Sequence, residues 1–288
     1  MNLLHISDMH FGTRHWTGDN QQLLDEINSY AADLVINTGD NTTDALENEY
    51  IAAGQFLSSI NCKNIISIAG NHDKRNMLSQ DFFRMYIDNA DVIFPSNSEK
   101  CKKSKMFLDD YTQGIKEKCT DINFIKKLTI DGQSLLVVCL DTNVVYKDNG
   151  YVDKQILDAV SNKITNYTYD KIILLNHHSI LDTDYDPLFN SGRVIDFVKK
   201  HDIKHVFCGH THKLELSHYT DLYNGHSFFQ YKNGSLTSFN SPNDSNMFLF
   251  FENFAEENMK IHIIRIYHND GKLSFKKEII SNIQGLNL

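Results

Sequence analysis

Five short motifs carry residues able to do metal chemistry: Asp8-Met9-His10, Gly39-Asp40-Asn41, Gly70-Asn71-His72-Asp73, Asn176-His177-His178 and Gly209-His210-Thr211-His212. Each delivers Asp, Asn or His. Oxygen mixed with imidazole nitrogen suits Mn²⁺, Fe or Zn²⁺, whereas Ca²⁺ wants mostly oxygen. In Asp8-x-His10 and His210-x-His212 the donors are two residues apart. In extended backbone, residues i and i+2 point to one side, so each pair is expected to face one metal cluster. The glycines before Asp40, Asn71 and His210 are read as permitting tight turns. An isolated Asp or Asn is usually a turn residue, and an isolated His is usually a surface or satisfied core residue. Only the ordered set carries the metal reading.

Strands must position these motifs. The apolar runs Leu3–Ser7, Leu34–Thr38, Ile65–Ala69, Leu135–Leu140, Ile172–Leu175 and His205–Cys208 read as buried strands. All but the fourth run into one of the motifs. Amphipathic stretches at Asp19–Tyr30, Leu46–Ile60, Asp153–Thr165 and Gly192–Lys200 alternate with them, which predicts βαβ crossovers and an α/β fold. In an open α/β sheet the carboxyl ends of the strands line one crevice, so motifs far apart in sequence can converge. The tail, 241–288, reads as the strands Met247–Phe251, Ile261–Tyr267 and Leu273–Ile279 of a second, more antiparallel sheet. Residues 97–121 read as a short helical surface insertion whose Lys100, Lys102, Lys103 and Lys105 form a solvated face.

Composition excludes several classes. With 288 residues, 41% hydrophobic and 23% charged, the chain is no disordered tail, collagen or coiled coil. Three prolines and 14 glycines leave no linker-like stretch, and a single domain over 1–288 is expected. The net charge of −9 disfavours extended nucleic acid as a partner. A phosphate substrate remains open, because bound cations invert the local field. The five cysteines are odd in number and form no CxxC, which points away from a disulfide framework and towards a reducing, cytoplasmic setting. No apolar run is long enough for a membrane span, and the opening MNLLHISDMH reads as a strand rather than a signal peptide.

As an ordered set, D-x-H, G-D, G-N-H-D, H and G-H-x-H resembles the calcineurin-like metallophosphoesterase superfamily, over roughly residues 3 to 235. The opening HISDMHFG and the later CGHTH are most similar to its bacterial-type (class III) cyclic-nucleotide phosphodiesterases. The resemblance implies a four-layer α/β/β/α sandwich of two mixed sheets and two divalent metal ions (Mn, Fe or Zn). By position it implies that Asp8, His10 and His212 hold one ion and Asn71, His177 and His210 the other, with Asp40 bridging. Two such ions clamp a phosphoryl group and acidify a shared water whose hydroxide attacks phosphorus. His72, beside a ligand but not one itself, is then placed as the acid that protonates the leaving oxygen. The substrate expected is a small phosphodiester, a cyclic or other small nucleotide.

Neighbouring residues carry weaker readings. Arg14 could touch a phosphate and Trp16 could stack on a base, and ordinary loop packing explains both equally well. Asp73 is read as a cap for the helix-like segment that follows, and His178 as a structural neighbour of His177. Two rivals within enzymes are a nuclease and a phosphomonoesterase. A protein phosphatase would show G-D-x-V-D-R-G and G-N-H-E, whereas Asp40 here continues as Asn41-Thr42-Thr43 and the third motif ends in Asp73. A non-catalytic protein-binding scaffold would typically have lost ligands, and all seven positions are intact. The oligomeric state is left open.

Overall fold

The computed structural model describes residues 1–94, 103–106, 116–182, 185–239, 246–269 and 272–281. Its first unit is β1 (Leu3–Ile6), α1 (Asn20–Ser29), β2 (Leu34–Asn37), α2 (Glu47–Ser58) and β3 (Ile65–Ser67). The three strands are parallel, with Leu4 opposite Val35 and Ile36 opposite Ile66. They are mostly apolar because alternate side chains enter two different cores. Leu3, Leu34 and Ile36 face the second sheet, while Leu4, Ile6 and Val35 face the helices. α1 starts at Asp19, whose side chain accepts from Gln21 N and Gln22 N, and it buries Leu23, Leu24 and Ile27 on one face.

After a short 3-10 turn at His72–Lys74 come α3 (Ser79–Tyr86), β4 (Lys103–Met106), β5 (Lys116–Cys119) and β6 (Phe124–Ile130). A second unit repeats the alternation with β7 (Gln133–Cys139), α4 (Lys154–Ile164), β8 (Lys171–Leu175), α5 (Ser191–Lys200) and β9 (His205–Cys208). β7, β8 and β9 are again parallel. β10 (Glu215–Thr220), β11 (Ser227–Lys232), β12 (Met247–Glu252), β13 (Lys260–Asn269) and β14 (Lys272–Ile280) complete the described elements.

One sheet runs β14-β13-β12-β1-β2-β3 and the other β10-β11-β9-β8-β7-β6. Both mix parallel and antiparallel pairs. They face each other across one core, where Phe207 of β9 meets Phe251 of β12 edge-on at 5.5 Å between ring centroids. Helices α1 and α2 cover the outer face of the first sheet, and α4 and α5 that of the second. This is the four-layer α/β/β/α sandwich.

Two expectations need correction. The tail strands do not build the second sheet: β12 pairs antiparallel with β1, with Leu4 opposite Phe250, so the tail extends the first. β1 has β2 on one side only, and Met247–Phe251, buried residue for residue, needs a place inside the sandwich. The run 97–121 is not helical where it is described. β4 and β5 pair antiparallel, consistent with the two-residue alternation of lysines at 103, 105, 116 and 118. Residues 97–102 and 107–115 of the run lie outside the described ones. No described helix is long and apolar enough to cross a membrane.

Candidate metal centre

The carboxyl ends of β1, β2, β3, β8 and β9 meet at one edge of the sandwich. There Asp8, His10, Asp40, Asn71, His72 and His177 are buried, and His210 and His212 are partly exposed. Two clusters result. In the first, His10 Nε2 lies 2.9 Å from His212 Nε2, His212 Nε2 lies 3.4 Å from Asp8 Oδ1, and His10 Nε2 lies 3.5 Å from Asp40 Oδ2. In the second, Asn71 Oδ1 is 3.0 Å from both His177 Nε2 and His210 Nδ1, and His177 Nε2 is 3.5 Å from Asp40 Oδ1. Asp40 thus turns one oxygen to each cluster.

These separations fit cations. Donors about 2.0–2.1 Å from one ion stand about 3–3.5 Å apart. Asp8 Oδ1 is buried without a hydrogen bond, an expensive state for a carboxylate oxygen unless a cation occupies the point it faces. The histidines are oriented for the same end. His177 Nδ1–H donates to Thr38 O at 2.7 Å, which turns Nε2 towards the cluster, and a metal ion binding there displaces the proton that Asp40 otherwise favours on it. His210 Nε2–H donates to Asp186 O at 3.2 Å, leaving Nδ1. Burial pushes His10 down to about 3 and His210 to about 4, so both are neutral at physiological pH, the form that binds metal. Burial alone would also lower His177, but the field of Asp40 outweighs it and lifts the ring to about 9. Burial opposes ionisation of Asp40 too, and the surrounding His177, His72 and His10 nonetheless hold it well below the usual carboxylate range.

The backbone route differs from the one expected. Asp8, His10, His210 and His212 are not extended; they adopt left-handed conformations with φ of 54°, 49°, 77° and 55°. Convergence comes from alternate left-handed residues, and Asp40 shares the feature with φ 52°. Each costs on the order of 1–3 kcal/mol for a non-glycine residue and persists only where its surroundings over-determine it. Ser235 and Thr237 hydroxyls do that for the first motif, donating to the carbonyls of Asp8 and Met9 at 2.7 Å each. The glycines also serve differently. Gly39 needs its φ of +102°, but Gly70 and Gly209 are there for space: a Cβ would overlap Asp40 Oδ1 at the first and Ser7 Oγ and Asp8 Oδ2 at the second.

A buried hydroxyl relay supports Asp8. His5 Nε2 meets Thr38 Oγ1 at 2.9 Å, Thr38 donates to Ser7 Oγ at 2.8 Å, and Ser7 donates to Asp8 Oδ2. Asp73 is not a helix cap. Its buried carboxylate accepts from Asn41 N and Nδ2, Thr42 N and Oγ1, and Gly70 N, at 2.8–3.0 Å, pinning the second motif to the third. Burial and then the charge of Asp40 raise it to about 6, against the pull of those donors. Asp73→Ala strands five buried donors, each worth about 1–3 kcal/mol if left unmade, and partial rehydration reduces the sum to several kcal/mol. The expected result is a melting temperature lower by about 10 °C together with weakened metal affinity. A melting curve within about 2 °C of the wild type would show that the clamp is dispensable.

His72 lies close enough to His10 and Asp40 to share an ion with them, but its bonding points elsewhere. Its Nδ1–H donates to Thr43 O at 2.6 Å, and its Nε2 faces two guanidiniums, Arg14 Nη1 at 3.0 Å and Arg75 Nη2 at 3.2 Å. A nitrogen facing two cations is a poor metal ligand. Arg14 therefore reaches the site, but Trp16 does not. It is buried in the core beneath α1, with Nε1–H donating to Asn20 Oδ1 at 2.8 Å. His178 bonds Thr142 Oγ1 and Asp148 O and so steadies the loop beyond β7. Two site residues escaped the sequence reading. Arg75 could have been found, two positions after Asp73. Asp148 carries no motif, yet its Oδ1 accepts from Asn71 Nδ2 at 2.8 Å and Arg75 Nη2 at 3.2 Å, fixing which end of the Asn71 amide faces the second cluster.

Among solved structures, the chain is similar to Vps29 complexed with zinc from Entamoeba histolytica (15% identity, 98% of this chain and 99% of that one, TM-score 0.45). It is also similar to GAP50, the anchor in the inner membrane complex of Plasmodium (10% identity, 98% and 88%, TM-score 0.54). A third is the purple acid phosphatase PPD1 from yellow lupin seeds (12% identity, 98% and 53%, TM-score 0.53). At these identities the likeness to the last two speaks for the fold alone. No curated protein matches the sequence. The pattern of the calcineurin-like phosphoesterases matches residues 1–214, the stretch that carries every motif above, and the chain belongs to that family of metal-dependent phosphoesterases.

Proposed function

We propose that the protein hydrolyses phosphodiesters, with a cyclic or other small nucleotide as substrate, at two divalent ions. Asp8, His10 and His212 would hold one ion, Asn71, His177 and His210 the other, with Asp40 between them. The observation that carries this reading is the division of Asp40, one oxygen 3.5 Å from His10 and the other 3.5 Å from His177. The mixed nitrogen and oxygen donors suit Mn, Fe or Zn. A cytoplasmic setting fits Cys62, Cys139 and Cys208, which are free thiols.

When bound, the ions would supply Lewis-acid charge at the phosphoryl oxygens and a more acidic water. The chain's own groups do the rest. Arg14 and Arg75 point their guanidiniums into the mouth, where non-bridging phosphate oxygens can take their donors. His72 is anchored through Nδ1–H to Thr43 O, so its Nε2 stays aimed at the same place. Burial, with the two guanidiniums, keeps the imidazole below its ordinary range against the pull of Asp40. Once a phosphate draws the arginines away and adds its own negative charge, Nε2 can take up a proton from water and pass it to the leaving oxygen. Arg14, after the first motif, and Arg75, after the third, are the described cations against His72 Nε2.

The test is turnover with Mn²⁺ of bis-(p-nitrophenyl) phosphate, p-nitrophenyl phosphate and cyclic nucleotides. Diester kcat/KM is expected to exceed monoester kcat/KM, and the reverse order would overturn the diester assignment. No turnover of any ester by metal-loaded protein would overturn hydrolysis itself. Arg75→Ala is expected to lower diester kcat/KM by about 10- to 100-fold, the worth of a charge-assisted hydrogen bond, with Arg75→Lys intermediate. An alanine variant within twofold of the wild type would remove Arg75 from the phosphate site.

A further inference from the structure

Two exposed tyrosines on loops tied to the candidate metal centre adopt a backbone conformation whose cost packing does not return. Tyr146 and Tyr185 are 62% and 77% exposed. Both have left-handed backbone, with φ of 60° and 43°, a region bulky residues rarely adopt. Each sits on a loop tied directly to candidate metal ligands. Tyr146 N donates to Lys74 O at 3.1 Å, and two residues later Asp148 holds Asn71 and Arg75. Tyr185 precedes Asp186, whose carbonyl fixes the His210 ring. The two loops are joined to each other, Gly150 N to Pro187 O and Phe189 N to Gly150 O, both at 3.0 Å. Lys213, next to His212, places its ammonium 5.0 Å from the centre of the Tyr185 ring.

We infer that Tyr146 and Tyr185 form an aromatic rim that receives the nucleobase of a nucleoside phosphate while the phosphate occupies the metal centre. The inference rests on the phosphoesterase reading and deepens it by naming what the non-reacting end of the substrate is. A flat π surface beside a phosphate site selects a ligand with both an aromatic ring and a phosphoryl group. Base–aromatic stacking tolerates sequence, so one or two rings suffice without hydrogen-bonding side chains. Lys213 polarises the Tyr185 ring and adds positive charge at the rim of an acidic protein, which favours an anionic ligand there. This role replaces the one considered for Trp16, which is buried in the core.

Calorimetry on the manganese-loaded protein separates the possibilities. Adenosine 5′-monophosphate and ribose 5-phosphate share the phosphate and sugar and differ by the base. The nucleotide is expected to bind about tenfold more tightly or better. The double variant Tyr146→Ala/Tyr185→Ala is expected to lose that preference, keep its affinity for ribose 5-phosphate, and melt as the wild type does, since both rings are exposed. Tyr185→Phe should retain the preference. Equal affinities in the wild type, or a double variant that weakens both ligands alike, would overturn base recognition and leave the phosphoesterase reading standing. Binding of neither compound would overturn base recognition at this rim, while turnover of the diesters decides the phosphoesterase reading separately.

Discussion

Asp40→Ala is expected to bind under half the metal of the wild type and to lose diester turnover by on the order of 10³-fold or more. In the proposed centre two metal sites would lose one shared anion in this variant. Asp40 Oδ2 stands 3.5 Å from His10 and Oδ1 3.5 Å from His177, so neither cluster keeps its full donor set. The same carboxylate accepts from His72 N at 2.8 Å, which ties the proposed acid to the centre. Several kcal/mol of charge stabilisation disappear together, and each 1.36 kcal/mol is about a factor of ten in rate. Alanine adds a second injury, because position 40 is left-handed with φ 52°. Asp40→Asn separates the two effects. Asparagine tolerates that backbone and its amide oxygen can still accept from His72 N, so folding is preserved while the charge is gone. Elemental analysis should show both variants depleted of metal, with only the alanine variant melting early. Two tightly bound ions in either variant would sink the bridging role.

The elements of the fold could be read because burial on both faces leaves uninterrupted apolar runs. Leu34–Asn37 and His205–Cys208 are strands whose every residue is buried, and they stand where the apolar pattern placed them. Pairing partners were not legible in the same way. Met247–Glu252 reads as a strand in isolation, but nothing in its residues says that it joins β1 rather than a sheet of its own. The motifs identified the atoms able to do chemistry, not how the backbone aims them. Alternate donors at 8 and 10 suggest an extended chain, whereas the chain reaches the same convergence through left-handed residues held by Ser235 and Thr237. Asp148 shows the limit most clearly. Its importance lies in one oxygen placed between Asn71 and Arg75, a relation across 77 and 73 residues that no local pattern encodes. Trp16 shows the converse: proximity in sequence to a metal motif did not put its ring at the site, because a large apolar side chain gains more by joining the core under α1.

His72→Ala is expected to remove turnover while leaving the metals in place, and the size of the loss should depend on the leaving group. In the proposed assignment neither ion needs the His72 ring, although it lies beside His10 and Asp40: Nδ1 is taken by Thr43 O, and Nε2 faces Arg14 and Arg75. General acid catalysis typically contributes about 10²- to 10⁴-fold, so that loss is expected for a diester with a poor alkoxide leaving group. A good leaving group such as p-nitrophenolate departs without a proton, and there the loss should shrink towards the wild-type rate. The arginines make this contrast informative. Without His72 they remain in the mouth and can still bind phosphate, so KM should change less than kcat. An equal loss for good and poor leaving groups would assign His72 to electrostatic support of the phosphate instead of proton donation. Loss of bound metal in the variant would place the ring among the structural supports of the centre, since the 4.6 Å edge-on contact of His72 with the His10 ring is the route by which its removal could disturb the first cluster.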